Sequence, residues 1–406
     1  LKILCLFGRY AYGDAARGEG YEHANFLPAF AALGHQVELF DSFDRGQYRD
    51  FADLNLRLIE HIQAFQPDVI FCVLMSYEVW LETLDLIRSR TPAAVVSWGT
   101  DDSWKFWQFT RYLAKHVDLH VTTHAPVLAE AKKLRIDNMI VSQWAAASSR
   151  LAEPLPSSAC EYDVSFVGAA YGNRRARVQA MARRGIDVMC FGHGWERGPV
   201  DSRDVDRIYR SSRVSLNFAD SGLQLSGSSL ARSRQIKART FEVPGAGGFL
   251  LSEESESLAQ YFRIGTEMIT YRDDDEAAEK IRYFLNHPDE RDAIAQAGHQ
   301  RVRREHLYEA RFAPILQRAL EIAGERHKQP WALKSDLLLK LVERHRGGIA
   351  LRRVFDTLRG AGGEFAHRRL FWRALRRLAY EFSWRVCGDR TFRAAGFPGR
   401  FFYRES

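Results

Sequence analysis

Short apolar runs recur along this chain with room for one amphipathic helix between each pair. In the first third they fall at residues 2–7, 36–40, 68–75, 93–98, 118–122 and 139–142. Runs this short read as buried strands. The stretches between them have a helical period; the clearest puts Phe51, Leu54, Leu58, Ile62 and Phe65 on one face. Gly34-His35 ends the first helix just before the second strand, as a C-terminal glycine should. Strand, helix, strand at this rhythm means a doubly wound parallel sheet.

The rhythm breaks at 145–160, a small-residue stretch with Pro154 and Pro156 that reads as a linker. It then restarts: strands at 163–168, 186–191, 214–218, 248–251 and 268–270, with helices at 173–185, 274–286 and 289–304. The expected architecture is α/β, with two Rossmann-like doubly wound parallel-sheet domains facing a cleft. Residues 1–145 form the first domain, 146–160 the linker and 161–325 the second domain. A basic helical extension, 326–406, follows. At 406 residues, two cores are the natural expectation.

The formal charge of +7 belongs to the end of the chain. Residues 331–406 hold 17 Lys and Arg against 7 Asp and Glu, which leaves 41 against 44 for the rest. The body is near neutral, so the basic pI does not signal a nucleic-acid-binding face, and no nucleic-acid partner is expected. No apolar run nears the roughly 20 residues of a membrane span. The opening strand has no basic n-region and no small-residue cleavage site, so no signal peptide is read and a cytoplasmic location is expected. Five scattered cysteines without CxxC pairing suit free thiols.

Four segments carry candidate chemistry. The first is the loop Gly8–His23, with Gly18, Gly20 and Glu22 on what would be the acceptor side. It lies after the first strand, at the edge where α/β sheets bind ligands. It is not GxGxxG, which disfavours a dinucleotide. His23 suits a general base, and a solvated loop histidine is the plainer alternative. The second is Ser97-Trp-Gly-Thr-Asp101-Asp102-Ser103, where Asp101 and Asp102 suit a base or a hydroxyl ligand, and helix capping is the alternative. A metal role would need more oxygen ligands than these.

The third is Gly168-Ala-Ala-Tyr171-Gly-Asn-Arg174-Arg175, a helix start with anion-binding chemistry, and His193 should line the same edge. The fourth joins Lys237, Arg239 and Glu242 to a glycine turn, Gly245, Gly247 and Gly248. Here the cations suit phosphate and the carboxylate suits a sugar diol. No GxSxG, HExxH, GxxxxGK[ST] or paired CxxC is present.

In their order and spacing these elements resemble the donor half of a GT-B glycosyltransferase of the CgeB-like, group 1 kind. The matching residues are Asp163-Val-Ser-Phe-Val-Gly168, Arg174-Arg175, Phe191-Gly-His-Gly-Trp195, Tyr209–Phe218, Arg239-Thr-Phe-Glu242 with Gly245 and Gly248, and Ala297-Gly298, His306 and Arg311. The resemblance implies a nucleotide-sugar co-substrate bound mainly by the second domain, and no cofactor or metal. Glu242 would hold the donor ribose. Lys237, Arg239 and the Gly168–Arg175 loop would face the diphosphate. Arg234 stands where many relatives carry a second glutamate, eight residues earlier, so no anomeric outcome is carried over. If the reaction inverts, the base would come from the first domain: Asp101, Asp102 or His23, with Glu22 behind them.

The implied reaction is glycosyl transfer to a glycan, lipid-linked or protein acceptor. A nucleotide-sugar epimerase and a non-catalytic nucleotide-sugar-binding scaffold are the competing readings. In the tail, Phe365, Leu370, Phe371, Ala374, Leu375, Leu378 and Phe382 follow helical spacing among arginines. A contact of 364–386 with an anionic membrane at the inner face is one expectation. A helical extension packed across the two domains, its arginines solvated, is the other.

Overall fold

The computed structural model describes residues 1–75, 78–226, 229–325, 331, 333, 338–339, 377–388 and 391, with backbone alone for 222–233. They gather into two compact units. The first takes Leu1–Ala15, Gly34–Ser142 and the described residues from Pro314 on; the second takes Ala16–Leu33 and Gln143–Ala313. The chain therefore crosses between units more often than one boundary near residue 145 implies.

The first unit holds six parallel strands in the order β2-β1-β3-β4-β5-β6. These are β1 (Lys2–Phe7), β2 (Gln36–Asp41), β3 (Val69–Cys72), β4 (Ala94–Gly99), β5 (Leu119–Thr122) and β6 (Met139–Val141). All six apolar runs of the sequence become strands, because a sheet covered on both faces needs such runs. In chain order the helices are α1 (Tyr21–Ala32), α2 (Phe51–Phe65), α3 (Leu81–Arg90), α4 (Asp102–Lys105), α5 (Arg111–Leu113) and α6 (Val127–Lys133). Of these, α1 groups with the second unit.

Helix α2 starts where the Asp50 carboxylate accepts from the Asp53 amide at 2.7 Å, and it ends at Gln66 in the left-handed region. Its apolar face, Leu54, Leu58 and Ile62, packs on Leu4, Leu6 and Ile70 of the sheet.

The described part of the C-terminal segment joins this same core through Leu333, Leu338 and Tyr380. Residues 377–387 are helical. Tyr380 stacks on Phe51 with centroids 4.6 Å apart. The Glu381 carboxylate accepts from the Phe51 amide at 2.9 Å and pairs with Arg45 at 3.3 Å. An acid thus serves an orphan donor at the start of α2, where the helix dipole favours it. Arg377 lies 4.2 Å over the Trp80 ring and pairs with Glu82. These residues pack as a helix on the first unit. Phe365, Leu370, Phe371, Ala374 and Leu375 lie outside the described residues.

The second unit holds five parallel strands in the order β13-β12-β9-β7-β8. They are β7 (Tyr162–Val167), β8 (Met189–Phe191), β9 (Ser212–Asn217), β12 (Leu250–Glu253) and β13 (Ile269–Tyr271); β10 (Asp220–Ser226) and β11 (Ser229–Arg234) form a separate antiparallel hairpin. The hairpin was not read from the sequence. Its residues are mostly small or polar, and its strand alternation is limited to Leu223 and Leu225. The helices are α7 (Arg174–Arg183), α8 (Ser202–Arg210), α9 (Arg239–Gly245), α10 (Asp274–Asn286), α11 (Pro288–Glu305) and the start of α12 (Tyr308–Glu325), whose residues from Pro314 on group with the first unit.

From β7 the chain steps to β8 on one side and returns to β9 on the other. Such a reversal opens a crevice at the carboxyl ends of the two strands it separates. The stretch read as a linker packs firmly on this unit. Ala145, Ala146 and Ala147 are buried, and Ala146 exchanges backbone hydrogen bonds of 3.0 Å with His306 and Tyr308. Phe26 and Phe30 of α1 complete the packing, at 4.9 Å from Tyr308 and 4.4 Å from Phe312 between centroids.

Among the described residues no helix is long and apolar enough to cross a membrane. All five cysteines are free, and burial raises the Cys5 and Cys72 thiols well above the ordinary range.

Candidate functional site

The site lies at the carboxyl edge of the second sheet, where β7 and β9 part. After β7 comes Gly168 (φ +151°), and after β8 comes Gly192 (φ +125°). A Cβ on Gly192 would stand 2.7 Å from the Gly168 carbonyl, and one on Gly168 would stand 2.7 Å from Arg239 Nη1. Glycine at both positions lets the two loops touch and lets a guanidinium lie on the strand end.

Arg239 opens α9. Its Nη1 donates to the Val167 carbonyl at 3.1 Å and its Nε to Asn217 Oδ1 at 3.1 Å. One guanidinium therefore spans the reversal point, touching the last residue of β7 and the last of β9. Asn217 is held in turn by its amide donating to Ser252 Oγ at 3.0 Å. Arg239 makes no salt bridge among the described residues, and its Nη2 is buried without a hydrogen-bond partner. Such an atom is costly unless a ligand meets it.

Arg174, buried at the start of α7, donates to the Ala169 carbonyl at 2.8 Å and to Tyr171 Oη at 2.7 Å. Both guanidiniums flank the Phe166 ring, Arg239 at 5.1 Å and Arg174 at 5.3 Å from its centroid.

One helical turn beyond Arg239, Glu242 is half-buried. Arg150 Nη1 stands 3.8 Å from its Oε1, and the carboxylate accepts no hydrogen bond among the described residues. Burial pushes its carboxyl above the usual range, Arg150 and Arg239 pull it back, and Asp206 adds to the rise. Arg150 grips Asp206 through two bonds of 2.8 Å. Tyr21 and Tyr308 share a hydrogen bond of 2.8 Å nearby, and both feel the Glu242 charge.

Two further arginines of the edge are neutralised. Buried Glu253, at the end of β12, pairs with Arg177 at 3.1 Å and Arg234 at 3.2 Å and accepts from the Ala219 amide at 2.9 Å.

The remaining sequence candidates divide. Lys237 is half-buried just before α9. Tyr171, Arg175 and His193 are exposed beside Gly168. Arg175 turns onto the Gly194 carbonyl and the Trp195 ring, and Trp195 donates to the Gly168 carbonyl at 2.7 Å.

Gly245, Gly247 and Gly248 do not join this edge, which corrects their reading as ligand-facing. They precede β12, so they lie at its amino end. Added Cβ atoms there would meet Ala146 at 2.8 Å, the Ala152 carbonyl at 2.6 Å and the Tyr209 carbonyl at 2.5 Å. These glycines serve close packing.

Asp102 also departs from its expected place as a base. It is buried in the first unit, held by His120 Nε2 at 3.0 Å and by Thr110. Burial works to raise its carboxyl, but His120, Thr110 and Thr122 outweigh it and hold it below the usual range. His120 continues to Ser97 Oγ at 2.6 Å. The group is an internal anchor for the turn after β4. Asp101, next to it, is half-buried ahead of α4. His23 is on α1, paired with Glu19 at 2.6 Å, and so groups with the second unit rather than the first. Gly20 precedes α1, Gly18 takes φ +84°, and Glu22 sits in the first turn.

Asn217, Arg150, Asp206 and Glu253 were missed by sequence reasoning. Asn217 and Glu253 do leave a signal, a polar side chain closing an apolar strand run. Arg150 was hidden in what read as a linker.

Residues 174–317 match the family model described as glycosyl transferase-like. This segment is glycosyltransferase-like. It runs from α7 into α12 and so contains Arg174, Asn217, Arg239 and Glu242. The fold is that of GT-B glycosyltransferases. Sucrose-phosphate synthase from Thermosynechococcus elongatus superposes with a TM-score of 0.57 at 10% identity, over 80% of this chain and 100% of that one. A glycosyltransferase from Rickettsia africae gives 0.55 at 11%, over 80% and 99%. Anabaena HepE, solved with UDP-glucose, gives 0.52 at 12%, over 80% and 100%. A search of curated protein sequences finds no match.

Proposed function

We propose that this chain transfers a glycosyl group from a nucleotide-sugar to an acceptor hydroxyl without a metal ion. One observation carries the reading. Over a single turn of α9, an unpartnered guanidinium nitrogen at Arg239 is followed by a carboxylate at Glu242 that accepts no hydrogen bond among the described residues. A nucleoside diphosphate offers what each lacks: phosphate oxygens for the cation, and a ribose diol for the carboxylate. The leaving diphosphate gains charge as the glycosidic bond breaks. Arg239 and Arg174, preset at Gly168, would stabilise that charge without reorganising. Acceptor deprotonation needs a base, and Asp101 and His23 stand as the sequence candidates for it.

A uridine nucleotide is the first donor to try, since HepE was solved with UDP-glucose. The acceptor is a glycan or a lipid-linked or protein-borne hydroxyl. Exposed Phe382 and Val386, one turn apart on 377–387 beside Arg385, support an acceptor at an anionic membrane. Flotation with acidic vesicles checks this; equal flotation of Phe382→Ser/Val386→Ser removes it. For the donor, thermal shift against UDP-, GDP-, ADP-, CMP- and dTDP-sugars is the test. At least one should stabilise the protein and release its nucleotide when acceptor is added. No stabilisation by any of them would overturn the reading.

A further inference from the structure

We propose that Arg150 is a positioning residue for donor binding, supplying charge to Glu242 while leaving both carboxylate oxygens open to a ribose diol. This rests on the nucleotide-sugar reading of the site. Arg150 lies in the 146–160 stretch, outside the segment that matches the glycosyltransferase-like family.

The geometry has two parts. The guanidinium is fully tethered elsewhere: Nε and Nη2 donate to the two oxygens of Asp206 at 2.8 Å, Nη2 also to the Ser202 carbonyl at 3.1 Å, and Nη1 to Asn25 Oδ1 at 3.0 Å. Asn25 is buried and oriented by its own amide donating to the Tyr21 carbonyl at 2.9 Å. A fork so held cannot swing onto a ligand. It stands 3.8 Å from Glu242 Oε1, within ion-pair range but beyond a hydrogen bond. Arg150 therefore favours the charged carboxylate without filling the lone pairs that a diol needs.

The surroundings show why such help is required. Glu242 faces Asp206 and Tyr209 from α8, Tyr21 from α1, Tyr308 from α12, Arg239 from α9 and Arg150. Burial and Asp206 favour its protonated form. Arg150 is the leading opposing influence, ahead of Arg239. Without Arg150, Glu242 would hold its proton to higher pH, and Asp206 would lose its partner. A protonated carboxyl accepts only one of two diol hydrogens well, so ribose recognition would fail on the acid side first.

The test uses the full chain and isothermal titration from pH 5.5 to 9. The probes are the nucleoside diphosphate that binds wild type best and its 2′,3′-dideoxy analogue. Arg150→Gln and Arg150→Met should weaken the ribose form about 10-fold near pH 7, recover much of that by pH 9, and leave the dideoxy form unchanged. Gln keeps a donor toward Asp206, so it guards against a variant that does not fold. Equal loss for both probes with a flat pH profile would mean a structural role and overturn the proposal. Unchanged ribose preference and pH profile would also overturn it. Were wild type itself indifferent to the ribose hydroxyls, the ribose reading of Glu242 would fall first, before Arg150 is asked about.

Discussion

Arg239 spends two of its donors on the strand ends and keeps a third buried and unmet. That arrangement is expensive in the free protein and useful only toward an anion. Arg239→Ala should weaken a nucleoside diphosphate by about 10- to 100-fold, since a charge-assisted bond contributes roughly 1.5–3 kcal/mol. Arg239→Lys should recover little, because an ammonium cannot bridge Val167 and Asn217 as a fork does. Titration calorimetry reads both.

Glu242 has the opposite character. Burial raises its carboxyl, so a penalty on the folded state sets in as pH rises through the lower, unfolded-state value and is complete above the raised one. Below the unfolded-state value both states are protonated and the penalty vanishes. Glu242→Gln should therefore raise the melting temperature at pH 7 to 8, show no gain near pH 4, and lose donor affinity. A lower melting temperature at neutral pH would contradict this. These residue types were legible in the sequence, as a basic segment delivering one carboxylate. Their geometry was not, because it depends on Asn217 and Arg150, which lie 22 and 92 residues away from Arg239 and Glu242 respectively.

At the scale of elements, the strands were readable because a sheet covered on both faces demands apolar runs. The β10–β11 hairpin was not, since its polar and small residues carry no such demand. Strand direction decides the fate of the glycines. Loops after parallel strands reach the carboxyl edge, and loops before them reach the amino edge. Gly168 is of the first kind and Gly248 of the second, a distinction already contained in their order along the chain. Gly248→Ala should lower stability by about 1–3 kcal/mol through its clash with the Tyr209 carbonyl, with donor affinity of the folded protein unchanged. Gly168→Ala should displace Arg239 and weaken the donor as well. Urea denaturation and calorimetry, run on both, separate the two roles. The Asp101-Asp102 pair divides for a similar reason: Asp102 points into the sheet and is consumed by His120, which no local spacing announces.

For the whole molecule, the two units each repeat one plan: a parallel sheet whose order reverses beside its first strand. The described C-terminal residues return to the first unit. There Glu381 meets Arg45 and the start of α2, so the basic tail is anchored through an acid. Glu381→Ala leaves Arg45 buried and uncompensated, and should cost about 3–5 kcal/mol in urea denaturation.

The most direct measurement of the central claim is a calorimetric series on wild type, Arg239→Ala and Glu242→Ala. Each is titrated with a nucleoside diphosphate, the parent nucleoside and the 2′,3′-dideoxy diphosphate. The α9 site predicts that the Arg239 effect vanishes with the nucleoside and the Glu242 effect vanishes with the dideoxy compound. Equal effects across all three ligands, or wild-type affinity in both variants, would contradict it.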